Sequence, residues 1–289
     1  MNGKQILSSH RIHFNQYMSL KFPVSLVGKR SSVATAVPME FSLVGGAGNA
    51  ADPDTGFGSV GYEFLIGTYM VPVEHYDAFN ADDSLNSFNI STLQDGTNRP
   101  VRGCFGNQVM RFVNWLNVFE GYPPAYRFTT EGSNDNATNW TAGTAGAGWN
   151  PARPNVNSLA KYYVPDTNEW YKAAFYSGAG NAYWTYSQQR NSAPTPSSGS
   201  TDQNTAIFGS QAGTAEVDNA GGLSYYGTMG QSGQLNEWII DLNLYSSLRR
   251  GGLYSSSYVG TTLRKTYTTN RFLNGYASDT GVRIAARIL

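Results

Sequence analysis

The sequence predicts an α+β domain with sparse regular secondary structure and long ordered loops, and three observations carry that expectation. Apolar and polar residues alternate in "MEFSLVG" (39–45) and "GYEFLIGTYMV" (61–71), as strands do. Three later segments carry helical spacing or helix-start chemistry, and Gly/Asn/Thr/Ser-rich stretches separate them. The chain of 289 residues holds 19 Tyr, 14 Phe and 6 Trp, enough aromatic volume to fill a core where regular elements are few.

The first helix is expected in "VPVEHYDAFNA" (71–81), where Val73, Tyr76 and Phe79 share a face and Pro72 sits at the start, where a missing N–H costs little. The second is expected in "NQVMRFVNWLNVF" (107–119), with Val109, Phe112, Val113, Leu116 and Val118 on the apolar side. A third follows Pro165, with Asp166 as N-cap and Glu169 completing a capping box. The stretches Thr129 to Asn157 and Ser192 to Gly222 read as ordered surface loops, because Trp140, Trp149, Ile207 and Phe208 can anchor them. Residues 1–38 form a separate arm or assembly segment, either a flexible tail or a strand donor to a neighbouring subunit, and residues 39–289 form the domain.

Composition narrows the function. With 20 basic and 20 acidic residues the formal charge is zero, so no global field concentrates the protein on nucleic acid. No apolar run is long enough for a membrane span, and no signal-peptide core is visible near the start. Cys104 is the only cysteine, so no intrachain disulfide and no cysteine cluster for a metal can form. Its expected state is a small buried hydrophobe. Of the three histidines, His10 and His13 lie in the arm without a carboxylate partner, and His75 is expected to be a surface or half-buried helix residue. Asp82 and Asp83 are neighbours in sequence and make a poor acid/base pair.

Five segments, in order, resemble the formylglycine-generating-enzyme (sulfatase-modifying-factor) family. They are "GNAADPDTGFGSVGYEFLIGTYMVPVEHYDAF" (48–79), "RPVRGCFGNQVMRFVNWLN" (99–117), "YYVPDTNEWYKAAFY" (162–176), "YGTMGQSGQLNEW" (226–238) and "RRGGLYSSSYVGTTLRKTY…TGVRIAARIL" (249–289). The resemblance implies a C-type-lectin-like fold with two to three helices and a twisted antiparallel sheet. It also implies structural roles for Trp170, Glu237, Trp238, Arg250, Gly251 and Gly252. Bottom-up chemistry agrees: Glu237 and Arg250 could form a buried pair, and Gly251-Gly252 would permit positive φ or a close backbone approach.

In that family two cysteines hold the catalytic copper. Carried over by position, they fall at Ser256 and Thr261, whose neutral hydroxyls cannot replace thiolates for a soft metal. No catalytic residue is therefore expected, and the chain resembles a pseudoenzyme. A calcium that the family holds near its "NVWEW" motif would fall at Gln234 and Glu237, and it is the only cofactor the resemblance suggests.

Between Arg250 and Gly281 the chain is rich in Tyr, Ser, Thr and Asn, a chemistry suited to adaptable contact surfaces. The expected ligand-binding residues are Tyr254, Ser256, Ser257, Tyr258, Thr261, Tyr267, Asn270 and Arg271. The stretch is similar to the variable face of phage tropism determinants and of retroelement-diversified bacterial surface proteins of the same fold. The expected function is that of a non-catalytic phage virion protein, tail-associated or capsid-decorating, that binds a host-surface receptor or glycan. It would join other virion subunits through residues 1–38, as an oligomer or within a larger assembly. The alternatives are a bacterial surface or extracellular lectin-like adhesion protein, or an enzyme with altered chemistry in the family cleft.

Overall fold

A computed structural model describes residues 20–21, 39–82, 90–93, 95–129, 137–178, 180–257 and 261–289. Thirteen strands are described, most of them two to five residues long: β1 (Leu20–Lys21), β2 (Glu40–Val44), β3 (Phe64–Gly67), β4 (Arg127–Phe128), β5 (Ala137–Thr138), β6 (Tyr162–Tyr163), β7 (Thr195–Pro196), β8 (Thr205–Ala206), β9 (Asn236–Trp238), β10 (Ser246–Arg250), β11 (Thr269–Phe272), β12 (Thr280–Gly281) and β13 (Ala285–Ala286). The helices are α1 (Val73–Ala81), α2 (Gly106–Phe119), the single turn α3 (Ala142–Ala145) and α4 (Thr167–Phe175). This is the mixed α+β composition the sequence predicts, with the three expected helices in place.

One sheet has the order β1-β2-β3-β13-β6 and is antiparallel throughout. All four residues of β3 are buried, so the alternation read in this segment does not describe its environment. Both faces of the strand are covered. Leu65 joins the cluster built on α1 and α2, while Phe64 and Ile66 pack with Val44 and Ala173 of α4. A second sheet has the order β11-β10-β9-β12 and is not wholly antiparallel, because β12 runs parallel to β9. The small β7/β8 pair is also parallel. From the arm, only Leu20 and Lys21 are described; they pair with Phe41 and Glu40 of the same chain. The rest of residues 1–38, including His10 and His13, lies outside the described residues.

Helix α1 turns Val73, Tyr76 and Phe79 inward, as its spacing predicts. The Tyr76 ring stacks on Phe112 of α2 at 4.3 Å, and Phe79 meets Trp115 edge-on at 5.6 Å. In α2 the expected Val118 is exposed while Met110 and Trp115 are buried. At about 100° per residue, Val118 lies about 180° from Val109, so it cannot share that face. The N-terminus of α4 has the predicted capping box: Glu169 N–H donates to Asp166 Oδ1 at 2.9 Å, and Asp166 N–H donates to Glu169 Oε2 at 2.8 Å. Asp241 adds a second cap by accepting from the Thr167 N–H and hydroxyl at 2.9 and 2.7 Å.

One anchor behaves differently from the rest. Ile207 and Phe208 are fully buried and Trp140 is half-buried, but Trp149 is 40% exposed. His75 is buried rather than half-exposed. Cys104 is buried as expected, and burial pushes its thiol up to about 12. Among the described residues, no helix is long and apolar enough to cross a membrane.

Candidate functional site

The Tyr/Ser/Thr-rich segment is an excursion of residues 251–268 between β10 and β11. Its base is fixed by the backbone chemistry of two glycines. Gly251 has φ +120, and a Cβ there would lie 2.8 Å from the Leu235 carbonyl oxygen. Gly252 has φ +94, and a Cβ there would meet the Thr262 carbonyl oxygen at 2.8 Å. Only glycine allows the chain to turn here against β9 and against the returning strand of the excursion.

Below the glycines sits a buried polar cluster. The Glu237 carboxylate, wholly buried on β9, accepts from Trp170 Nε1 at 2.7 Å and from Arg283 Nε and Nη2 at 2.9 Å each. The expected Glu237–Arg250 pair is therefore not formed. Arg250 lies opposite Glu237 in register, yet its guanidinium sits 4.8 Å from the Phe57 ring centre and 5.2 Å from that of Tyr171. It donates to the carbonyls of Lys265 at 2.9 Å and Tyr267 at 3.1 Å. Burial lowers its pKa, and Arg250 works as a strut that holds the returning limb of the excursion. Trp170 and Trp238 are fully buried beside this cluster.

Lys265 ties the same limb to the segment 52–54. Its ammonium is 2.8 Å from Asp52 Oδ2 and 2.8 Å from Asp54 Oδ2, and its N–H donates to the Thr185 carbonyl. Tyr171 also donates to Asp52 at 2.5 Å. Burial raises the Asp52 carboxyl, but the hydrogen bonds from Lys265 and Tyr171 outweigh it and hold the group below its usual range. The outgoing limb is clamped separately: Tyr254 N–H donates to the Gln234 carbonyl, Gln211 N–H to the Tyr254 carbonyl, and Gly209 N–H to the Ser256 carbonyl, all at 2.9 Å.

The sequence-predicted contact residues divide into three groups on this scaffold. Ser257, Thr261 and Asn270 are exposed. Tyr254, Ser256, Tyr267 and Arg271 are half-buried, and they hold the surface as much as they present it. The Tyr254 ring packs against both small clusters around Met229 and Leu235 and lies under Arg102 at 5.9 Å. Arg271 donates to the Tyr276 carbonyl. Tyr258 lies outside the described residues. The Ser256 hydroxyl is 3.1 Å from that of Thr262, while Thr261 faces solvent.

The Gln234 and Glu237 groups do not converge on a cation. Gln234, at φ +67, uses its amide to clamp Ala215, accepting from the N–H at 2.9 Å and donating to the carbonyl at 2.8 Å. Both Glu237 oxygens are taken by Arg283 and Trp170, which neutralise the charge a calcium would need. No group of three or more His, Cys, Asp or Glu side chains that could hold a metal is found among the described residues.

Sequence reasoning missed two exposed aromatics at the end of the β10/β11 pair away from the excursion. Phe272, on the edge strand β11, is 68% exposed, and Tyr245, just before β10, is 78% exposed. In the folded strand "TNRF" alternates half-buried and exposed residues, which puts Asn270 and Phe272 on the solvent side together, a pattern the polar run Thr-Asn-Arg does not announce.

No protein-family model matches this chain, and no curated protein matches it. Solved structures do. The chain is similar to Treponema denticola variable protein 1, at 20% identity and a TM-score of 0.59, over 91% of this chain and 100% of that one. It is similar to CarF, at 17% identity and a TM-score of 0.58, over 87% and 99% of the two chains. It is also similar to PvdO from Pseudomonas aeruginosa, at 14% identity and a TM-score of 0.50, over 91% and 100%. At these identities the likeness is one of fold.

Proposed function

We propose that this protein is a non-catalytic binding protein with a C-type-lectin-like fold of the formylglycine-generating-enzyme type, displayed on a phage virion. In this reading the excursion 251–268 and the edge strand β11 contact a host receptor or glycan. One observation carries the reading: a hydrogen-bonded base of Glu237, Arg250, Arg283 and Lys265 holds an excursion with Ser257 and Thr261 exposed, and the edge strand that follows it exposes Asn270 and, at its far end, Phe272. A fixed frame under small adaptable polar groups and an aromatic limits the entropy lost on binding. The fold likeness to Treponema denticola variable protein 1 supports the same reading.

Substituting Ser257, Thr261, Asn270 and Phe272 together with Ala is expected to weaken binding to host cells by about 30-fold or more, the loss of one aromatic anchor of about 2 kcal/mol. The thermal midpoint should stay unchanged, because all four side chains face solvent. Undiminished binding by a folded variant would place the contact surface elsewhere. The protein should also be found in a mass-spectrometric inventory of purified virions, and recovery only from the host cytosol would overturn the assignment.

The non-catalytic part of the proposal has its own test. With Ser256 and Thr261 at the positions of the family's copper thiolates, purified protein supplied with copper is expected to leave a sulfatase-type cysteine peptide unoxidised. Formylglycine above a no-protein control would refute it.

A further inference from the structure

We propose a second ligand site, built from other residues than the excursion and independent of the reading above: a pocket for a sugar acid between residues 150–158, the start of β3 and the C-terminal segment. The cavity has a volume of about 300 Å³ and is lined by Tyr62, Asn150, Arg153, Ser158, Tyr163 and Arg287, among others. That volume lies at the small end of ligand pockets and suits one six-membered ring.

Two guanidinium groups flank one aromatic ring in its wall. The Arg153 and Arg287 centres each lie 4.9 Å from the centre of the Tyr163 ring. Arg153 is spent internally: it donates to both Glu169 oxygens at 3.1 and 3.0 Å and to the Tyr62 hydroxyl at 3.1 Å. Arg287 is different. It donates to the Ala160 carbonyl and meets no carboxylate among the described residues. Burial lowers its pKa, but a guanidinium remains charged in proteins. A half-buried cation that lines a cavity and makes no ion pair among the described residues, with only the field of Glu169 acting on it, calls for an anion from outside, and a guanidinium edge fits a carboxylate best.

The other lining groups supply the features of a sugar site. Tyr62 is 46% exposed and offers an aromatic face to a pyranose ring, while its hydroxyl is held by Glu169 at 2.7 Å. Asn150 and Ser158 sit at the rim with amide and hydroxyl groups. Asn150 Oδ1 accepts from the Ala152 N–H at 2.9 Å, and Ser158 donates to the Gly148 carbonyl at 3.0 Å. The Asn150 NH₂ and the Ser158 lone pairs remain to meet ring hydroxyls. Glu63 also borders the cavity, but its carboxylate lies beside Gly45 and within the field of Lys172. Burial and the Glu169 charge push the Asp166 carboxyl up to about 7, while the charge and hydrogen bonds of Arg153 outweigh burial and hold Glu169 below its usual range.

The test is calorimetric titration of the purified full chain with glucuronate, glucose and acetate. Glucuronate is expected to bind, with glucose and acetate each weaker by at least about tenfold, since one lacks the charge and the other the ring. Arg287→Gln should weaken glucuronate by at least about tenfold. If that variant fails to fold, Asn150→Asp decides: it keeps the acceptor for the Ala152 N–H but adds a negative charge at the rim and removes an amide donor, and it should weaken glucuronate by at least about tenfold. No binding of glucuronate by the wild type overturns the proposal. So does acetate binding as tightly as glucuronate, or glucuronate affinity unchanged in a folded variant.

Discussion

Glu237→Ala is expected to lower the free energy of unfolding by about 3–5 kcal/mol, the range for breaking a buried ion pair by removing one partner. Both side chains of the pair are fully buried. The variant leaves the Arg283 charge with only carbonyls, those of Gly67, Thr68 and Met229, and strips Trp170 Nε1 of its acceptor. The cost should appear as a lowered urea midpoint with an unchanged slope. Replacing both residues, as Glu237→Met with Arg283→Met, should recover much of the loss, because no charge is then stranded. A midpoint unmoved by Glu237→Ala would show that the pair contributes nothing to stability.

Lys265→Met comes next in size, with an expected cost of about 3 kcal/mol at neutral pH, at the low end because the ammonium is partly solvated. Asp52 is 1% exposed, so losing its cation leaves a buried carboxylate supported only by neutral donors, the Tyr171 hydroxyl and the Asp54 N–H. The sign with pH follows from the depressed Asp52 pKa. In the wild type this stabilisation is fully present above the unfolded value of 3.8 and is lost as pH falls through the lower folded value. In the variant the burial contribution, which raises the pKa, is no longer opposed by Lys265. Its deficit should therefore be largest near neutrality and shrink in acid, where the stranded carboxyl takes up a proton. Equal deficits at neutral pH and near pH 3.8 would contradict this. Hydrogen exchange should also quicken in residues 251–268, which Lys265 and Arg250 hold to the body of the protein.

What the sequence disclosed depended on how local the physics was. The α4 start was legible because the Asp166–Glu169 box is complete within four residues. The burial of Glu237 was legible too, but its partner was not. Arg250 and Arg283 offer the same charge, and the choice rests on a parallel pairing of β12 with β9 that places Arg283 beside β9 from 46 residues away. Residue order carries no sign of that pairing. The same limit applies to the contact surface. Residues 254 to 271 read as mainly polar and aromatic, and their order alone could not separate Tyr254, turned onto the small clusters, from Ser257, turned to water. The Arg287 pocket was invisible for a similar reason. Tyr62, Asn150 and Arg287 each look like an ordinary surface residue, and only the fold brings them to one cavity.

The place of β13 sets the order in which this molecule can assemble. The strand lies between β3 and β6, and its residues, Ala285 and Ala286, follow β3 in the chain by more than 200 positions. While the chain is being synthesised, β3 and β6 have no shared neighbour. The apolar run "FLI" must wait, with its hydrogen-bonding edge open, until residues 285–286 leave the ribosome. Helices α1 and α2 can pair early, since they are close in sequence, but the central sheet closes last and all at once. Such long-range closure makes for slow folding and leaves an unpaired strand edge exposed while it lasts.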